Sequence, residues 1–252
     1  MKKFQKIVGL MCLITLPMLQ ACSDDEGHSL GEIGGSWATI KLAKSVKADG
    51  GYAPFYLQSD DYGSLWLVNT DLGFYKPVDG QRVIAFYNPL YDNFEGYDHA
   101  VKLIDMREAL TKEMDELTDE NEEQLGNDPI LIYQGDMGFS GGYMNLIFFQ
   151  DLPKDLNTKH RISLVEVKPE TDDGYVHLKL LYNTYDDTSG RYTPAFVSFN
   201  LSKLTIPDNS KGFKVQLNSE KNGEVEVEFS KQSENKTISA ISELEYSKMQ
   251  LE

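Results

Sequence analysis

The sequence predicts an all-β chain: an N-terminal OB-like small barrel followed by a C-terminal antiparallel β-sandwich, with a short helix at the junction. Three observations carry this. Short apolar stretches, alternating or continuous, recur from Trp37 almost to the C-terminus, divided by turns such as Asp49-Gly50-Gly51 and Pro77-Val78-Asp79-Gly80, with no long amphipathic helix among them. The pattern breaks once, between Asp105 and Asp128, where ten carboxylates face only Arg107 and Lys112. Beyond Pro129 the strands resume and alternate more strictly, as in a sandwich with one buried and one wet face. The resulting division is a leader over 1–21, a tether over 22–35, the barrel over 36–117, a helical junction over 118–128 and the sandwich over 129–252.

Taken in order, the chain opens with Lys2, Lys3 and Lys6, then an apolar stretch from Ile7 to Leu19 that ends in Leu19-Gln20-Ala21-Cys22. Basic, then apolar, then small is the order of a secretory leader. The apolar stretch is shorter than the roughly 18 residues a membrane-crossing helix needs, and Thr15 and Pro17 interrupt it. Leu three places before a Cys and Ala directly before it resemble the bacterial lipobox, whose Cys becomes the lipidated first residue of the mature chain. Cys22 is therefore the expected lipidation residue, and the membrane a partner through that lipid. The acidic run Ser23-Asp24-Asp25-Glu26-Gly27 resembles the signal that sends some lipoproteins to the outer face of the outer membrane. The expected location is thus the bacterial envelope, lipid-anchored in the outer membrane and facing the exterior.

Composition narrows the chemistry. The only cysteines are Cys12 and Cys22, so a mature chain has no disulfide, thiolate metal site or cysteine nucleophile. The formal charge of −16 becomes −19 once Lys2, Lys3 and Lys6 leave with the leader. Such a surface repels phosphate backbones, which excludes nucleic acid and leaves a cationic peptide or a neutral glycan as ligand classes.

In the first domain Ala38–Leu42, Phe55–Gln58, Leu65–Val68, Val83–Tyr87 and His99–Ile104 read as strands, enough for a small barrel. From Met106 to Leu117 two readings compete. Met106, Leu110 and Met114 have helical spacing, whereas Leu110–Lys112 suits a last barrel strand. Thr118 reads as the N-cap of a short helix with Gly126 past its end and Pro129 beyond. In the second domain Val176, Leu178, Leu180 and Tyr182 oppose His177 and Lys179. Likewise Ala195, Val197, Phe199 and Leu201 oppose Ser198 and Asn200, and Phe213–Leu217 with Glu224–Phe229 forms a hairpin through Asn222-Gly223.

No motif assembles a catalyst. Gly138-Phe139-Ser140-Gly141-Gly142 is similar to the nucleophile loop of chymotrypsin-like proteases with Phe in place of Asp, but neither His28 nor His99 has the setting of a general base, so it reads as a hairpin turn. The four histidines lie far apart, and the acidic loops 170–174 and 185–190 match no EF-hand, so no metal and no cofactor is expected. Aromatic residues crowd the barrel; most must fill it, and Trp66 and Tyr75, close to turns, are the candidate ligand-binding residues.

The chain resembles the NigD-like lipoprotein family of bacterial envelopes. The resemblance rests on the lipobox with its acidic tail, Leu65-Trp66, Tyr75–Val83, Tyr97-Asp98-His99, Leu110-Thr111-Lys112, Leu117–Glu122, Gly126–Pro129, Tyr182–Asp187 and Val197–Leu201. It implies an OB-like domain and a β-sandwich, and the bacteriocin locus behind the name suggests immunity or envelope protection; it supplies no catalytic or binding residues. The expected function is a non-enzymatic binding or interaction module, and the alternative is a polysaccharide-directed hydrolase or accessory glycan-binding protein using carboxylates and aromatics in a cleft.

Overall fold

The computed structural model describes residues 33–43, 55–69, 75–155, 158–169 and 172–230. The first five strands are β1 (Gly34–Leu42), β2 (Phe55–Ser59), β3 (Gly63–Leu67), β4 (Arg82–Phe94) and β5 (Tyr97–Glu108). They close a barrel in the order β1-β2-β3-β5-β4, and β4 returns to β1. All ladders are antiparallel except β3–β5, the parallel pairing that lets five strands close. Period-two alternation decides what fills the barrel. In β2, Phe55, Leu57 and Ser59 point inward while Tyr56 and Gln58 face out. Ile40, Leu65, Val83, Ala85 and Val101 meet them at the centre, each fully buried.

β4 is buried on both faces from Arg82 to Tyr87, which explains its continuous apolar run. Val83, Ala85 and Tyr87 fill the barrel, whereas Ile84 and Phe86 join Trp37, Ala109 and Ile147 in a separate cluster that glues the barrel to the second domain.

That second domain contains β6 (Leu110–Glu113), β7 (Met137–Ser140), β8 (Tyr143–Asp151), β9 (Arg161–Glu166), β10 (Val176–Asn183), β11 (Tyr192–Asn200), β12 (Gly212–Ser219) and β13 (Gly223–Ser230). Two four-stranded sheets, β13-β12-β10-β9 and β6-β11-β8-β7, form the predicted sandwich. Antiparallel ladders predominate, with parallel pairings at β10–β12 and β6–β11. Met144, Leu146, Leu164, Leu178, Phe199 and Val215 fill its core.

Three local expectations change. Leu110–Glu113 is neither helix nor barrel strand, because it pairs with Val197–Asn200 and so belongs to the sandwich. Thr118 does not cap the helix. Its carbonyl accepts from the Asn121 and Glu122 amides as a turn, and the one-turn helix α1 (Glu122–Leu125) begins after Asn121 and ends at Gly126, whose φ of 72° is the left-handed stop that was expected. Ser198, expected on a wet face, is fully buried because the barrel covers that face of the sheet. Among the described residues no helix is long and apolar enough to cross a membrane.

Candidate functional site

Arg82, the first residue of β4, is the largest fully buried side chain among the described residues. An arginine there needs partners for its fork; both Nη groups find them, while the buried Nε has none. Nη1 and Nη2 donate to Asp60 Oδ1 and Oδ2 at 2.7 and 2.6 Å. Nη1 also donates to Thr39 Oγ1 and Nη2 to Asn145 Oδ1, both at 3.0 Å. The guanidinium lies 4.5 Å above the Tyr143 ring. Asp60 is only 3% exposed, so this is a desolvated bidentate pair, the strongest form of carboxylate recognition by arginine.

The pair sits on the seam between the domains, and the sandwich supplies the rest of its shell. Ser140 Oγ donates to Asp60 Oδ2 at 2.6 Å, Asn145 Nδ2 donates to Ser140 Oγ at 2.8 Å, and Ser198 Oγ donates to Asn145 Oδ1 at 2.6 Å. Asp60 and Thr39 come from the barrel, Ser140, Asn145 and Ser198 from the sandwich. The hairpin turn Gly141-Gly142 between β7 and β8 is what allows this approach. A Cβ on Gly141, at φ 58°, would fall 2.3 Å from Asp60 Oδ1, whereas one on Gly142 would meet nothing within 4 Å.

Beside this network the seam opens into a cleft of about 550 Å³, lined by Asp60, Asp61, Phe139–Tyr143, Asn200–Ser202, Ile206 and Phe213. Its floor is apolar: Phe139 and Phe213 stack with centroids 4.0 Å apart and planes 5° from parallel. Asp61 stands at the rim. Burial, then the neighbouring Asp60 charge, raise its carboxyl above the ordinary value, and Arg82 opposes them.

This geometry assigns the Gly138–Gly142 motif. Ser140 donates to a carboxylate already locked to arginine, and the described histidines are held elsewhere: His99 by Asp92, His160 by Tyr182, and His177 by Asp173. Of the two carboxylates lining the cleft, Asp60 is spent on Arg82, so the acid–base pair of a glycosidase is not assembled there. In the acidic loops, Asp173 accepts from Lys214 Nζ and the Tyr175 amide as well as facing His177, and Asp187 accepts from Ser189 and the Lys154 amide.

The sequence candidates lie apart from this seam. Trp66 faces outward from β3, its ring 4.8 Å from that of Tyr97, which in turn lies 5.1 Å from Tyr56; the three make a half-buried aromatic ledge on the barrel wall. Tyr75 packs on Phe55 at 5.6 Å against the barrel core, and its hydroxyl donates to Glu108 at 2.8 Å. Burial and Glu108 push that hydroxyl's pKa upward. Cys22 lies outside the described residues. Arg82 and Asp60 went unnoticed in the sequence; the available signal was a lone arginine heading an apolar run that must be buried on both faces.

A closed five-stranded barrel joined to a β-sandwich, with a buried polar seam between them, defines the class. The chain matches the NigD-like N-terminal OB domain over residues 45–108 and the NigD-like C-terminal β-sandwich domain over residues 113–231, and it belongs to the NigD-like family. Among solved structures it is similar to a protein of unknown function from Bacteroides vulgatus (28% identity, TM-score 0.66, covering 79% of this chain and 90% of that one). It is also similar to a protein described as toxin-related from Parabacteroides distasonis (26%, 0.59, 84% and 100%). A NigD-like immunity protein from Bacteroides caccae (18%, 0.55, 78% and 92%) shares the fold. No curated protein matches the chain.

Proposed function

We propose that this protein is an outer-membrane lipoprotein, anchored through Cys22 and displayed outward, that binds a ligand in the seam cleft without chemical turnover and so serves envelope protection or immunity. The observation that carries the reading is the state of Ser140. The one nucleophile-like motif of the chain is consumed in holding Asp60 and Arg82 at the wall of an open cleft. The leader ending at Cys22 and the acidic residues behind it support the anchor and the display. Membership of the NigD-like family, and a fold shared with a protein named as NigD-like immunity protein, support the protective role.

Labelling cells with an alkyne-bearing palmitate analogue and separating membranes tests the anchor. Lipid on the wild-type chain, with Cys22→Ser unlabelled and released from the membrane, is the expected result. Membrane association unchanged in Cys22→Ser would sink it. Proteinase digestion of intact cells tests display: the protein should be degraded before periplasmic markers are. A neutral-glycan reading is favoured separately by the Tyr56–Tyr97–Trp66 ledge, since sugar faces stack on such rings. Trp66→Ala abolishing retention on an immobilised glycan would support it.

A further inference from the structure

The polar groups around the cleft are unequally engaged. Ser140 is spent on Asp60, and Asp60 on Arg82. The Asn200 amide donates to Glu113 and accepts from the Ser202 amide. Among the described residues the Asp61 carboxylate has no hydrogen-bond or ion-pair partner, although its backbone amide is held by Ser59. Arg82 and Asp60 cancel, so Asp61 leaves one negative charge at the rim, and among the described residues no lysine or arginine lines the cleft. Beneath it lie Leu201, Phe139 and Phe213, all less than a tenth exposed, with Ile206 at 40% exposure as a side wall.

A sugar would need several free donors and acceptors, and with Asp60, Ser140 and Asn200 already bound the lining side chains leave it only the Tyr143 and Ser202 hydroxyls beside Asp61. A nucleotide would meet a rim of its own sign. One unspent anion over an apolar floor is complementary to one cation joined to apolar bulk.

We infer that the cleft takes a segment of a cationic amphipathic peptide, with an ammonium or guanidinium against the Asp61 carboxylate and a neighbouring apolar side chain on Ile206, Leu201 and Phe213. This rests on the reading of the cleft as a binding site and names the ligand class for it. The elevated carboxyl of Asp61 fits: at the exposed rim its charge is partly screened from water and stands beside that of Asp60, and a bound cation offsets both. The overall charge of −16 draws such peptides toward the whole surface, while the apolar floor sets which of them stay.

The test titrates the intact protein with a fluorescein-labelled peptide of alternating lysine and phenylalanine, followed by anisotropy, and in parallel with maltoheptaose, followed by amide NMR shifts. Asp61→Asn and Ile206→Ser should each weaken the peptide about three- to tenfold. Glu120→Gln, an equal charge change on the acidic junction, should leave binding within about twofold. Both sites are exposed at the rim, so the variants fold. If Asp61→Asn and Ile206→Ser bind like wild type, the peptide merely coats the acidic surface and the inference is overturned. If maltoheptaose rather than the peptide moves the Asp61, Ser140 and Ile206 amides, the ligand class is wrong while the binding cleft stands. If neither moves them, both fall.

Discussion

Ser140 Oγ and Asp60 Oδ2, separated by 80 positions in sequence, meet at 2.6 Å across the domain seam, where the serine satisfies a carboxylate that Arg82 already holds at both oxygens. Because the pair is desolvated, its value is asymmetric: the intact network stands near balance, but removing one member strands the other charge. Arg82→Ala and Asp60→Ala should each cost about 3–5 kcal/mol. For a chain of this size that is a fall in Tm on the order of 10 °C. Arg82→Met, which leaves no stranded cation and keeps the bulk, paired with Asp60→Leu should be milder than either alanine variant. Calorimetry of the four proteins checks the order.

The two glycines of the β7–β8 turn make a matched pair of substitutions. Both have positive φ, so alanine at either costs about 1–2 kcal/mol of left-handed strain. Only Gly141→Ala also drives a Cβ into Asp60, and pushing that carboxylate off Arg82 should bring its total to about 3 kcal/mol or more. Urea midpoints of the two variants that differ by less than their error would contradict the account.

Asp61 gives a pH dependence whose sign is the reverse of a salt-bridged carboxylate. Its folded carboxyl titrates above the ordinary 3.8, so through the window above 3.8 the folded chain holds a proton that the unfolded chain has released, and stability falls as pH rises through it. Asp61→Asn should therefore raise Tm at pH 7 and leave it unchanged at pH 3, where wild type is protonated in both states. Thermal scans at the two pH values decide this. A gain of stability accompanied by a loss of peptide binding would mark a residue retained for its ligand.

Two tryptophans report separately on the molecule. Trp37 is 3% exposed in the cluster that joins the domains, and Trp66 lies on the barrel wall. Trp66→Phe should leave a blue-shifted emission from Trp37 alone, and Trp37→Phe a redder one from Trp66. Their urea transitions should coincide with each other and with the loss of far-ultraviolet dichroism, as for a single cooperative unit. Separate midpoints would show that the seam opens before the barrel unfolds.

The two architectures could be read from the chain because period-two alternation is local: Phe55, Leu57 and Ser59 turn inward together whatever lies elsewhere. The seam could not be read this way. Asp60, next to Asp61 and close to Gly63, has the composition of an ordinary turn, and Gly141 that of a hairpin glycine. Each is both, but the second demand comes from afar: on Asp60 from residues 22 and 80 positions away, and on Gly141 from Asp60. Ser198 failed in the same way, since alternation puts it opposite Phe199 without saying that a barrel covers that face. Trp66 and Tyr75 were singled out by their closeness to turns, and the fold gives them different neighbours: an outward ledge for one, the barrel core and Glu108 for the other.

Between β5 and β6 lies a single residue, Ala109, itself 2% exposed, its amide donating to the Arg82 carbonyl and its carbonyl accepting from Gln81. A connection that short, bonded on both sides and packed into the seam, has no slack to act as a hinge. The cleft that opens on that seam is consequently, among the described residues, a fixed mould. A ligand of the proposed kind should meet it in one bimolecular event whose observed rate climbs in proportion to concentration without levelling off, with affinity differences among ligands residing in how long each one stays.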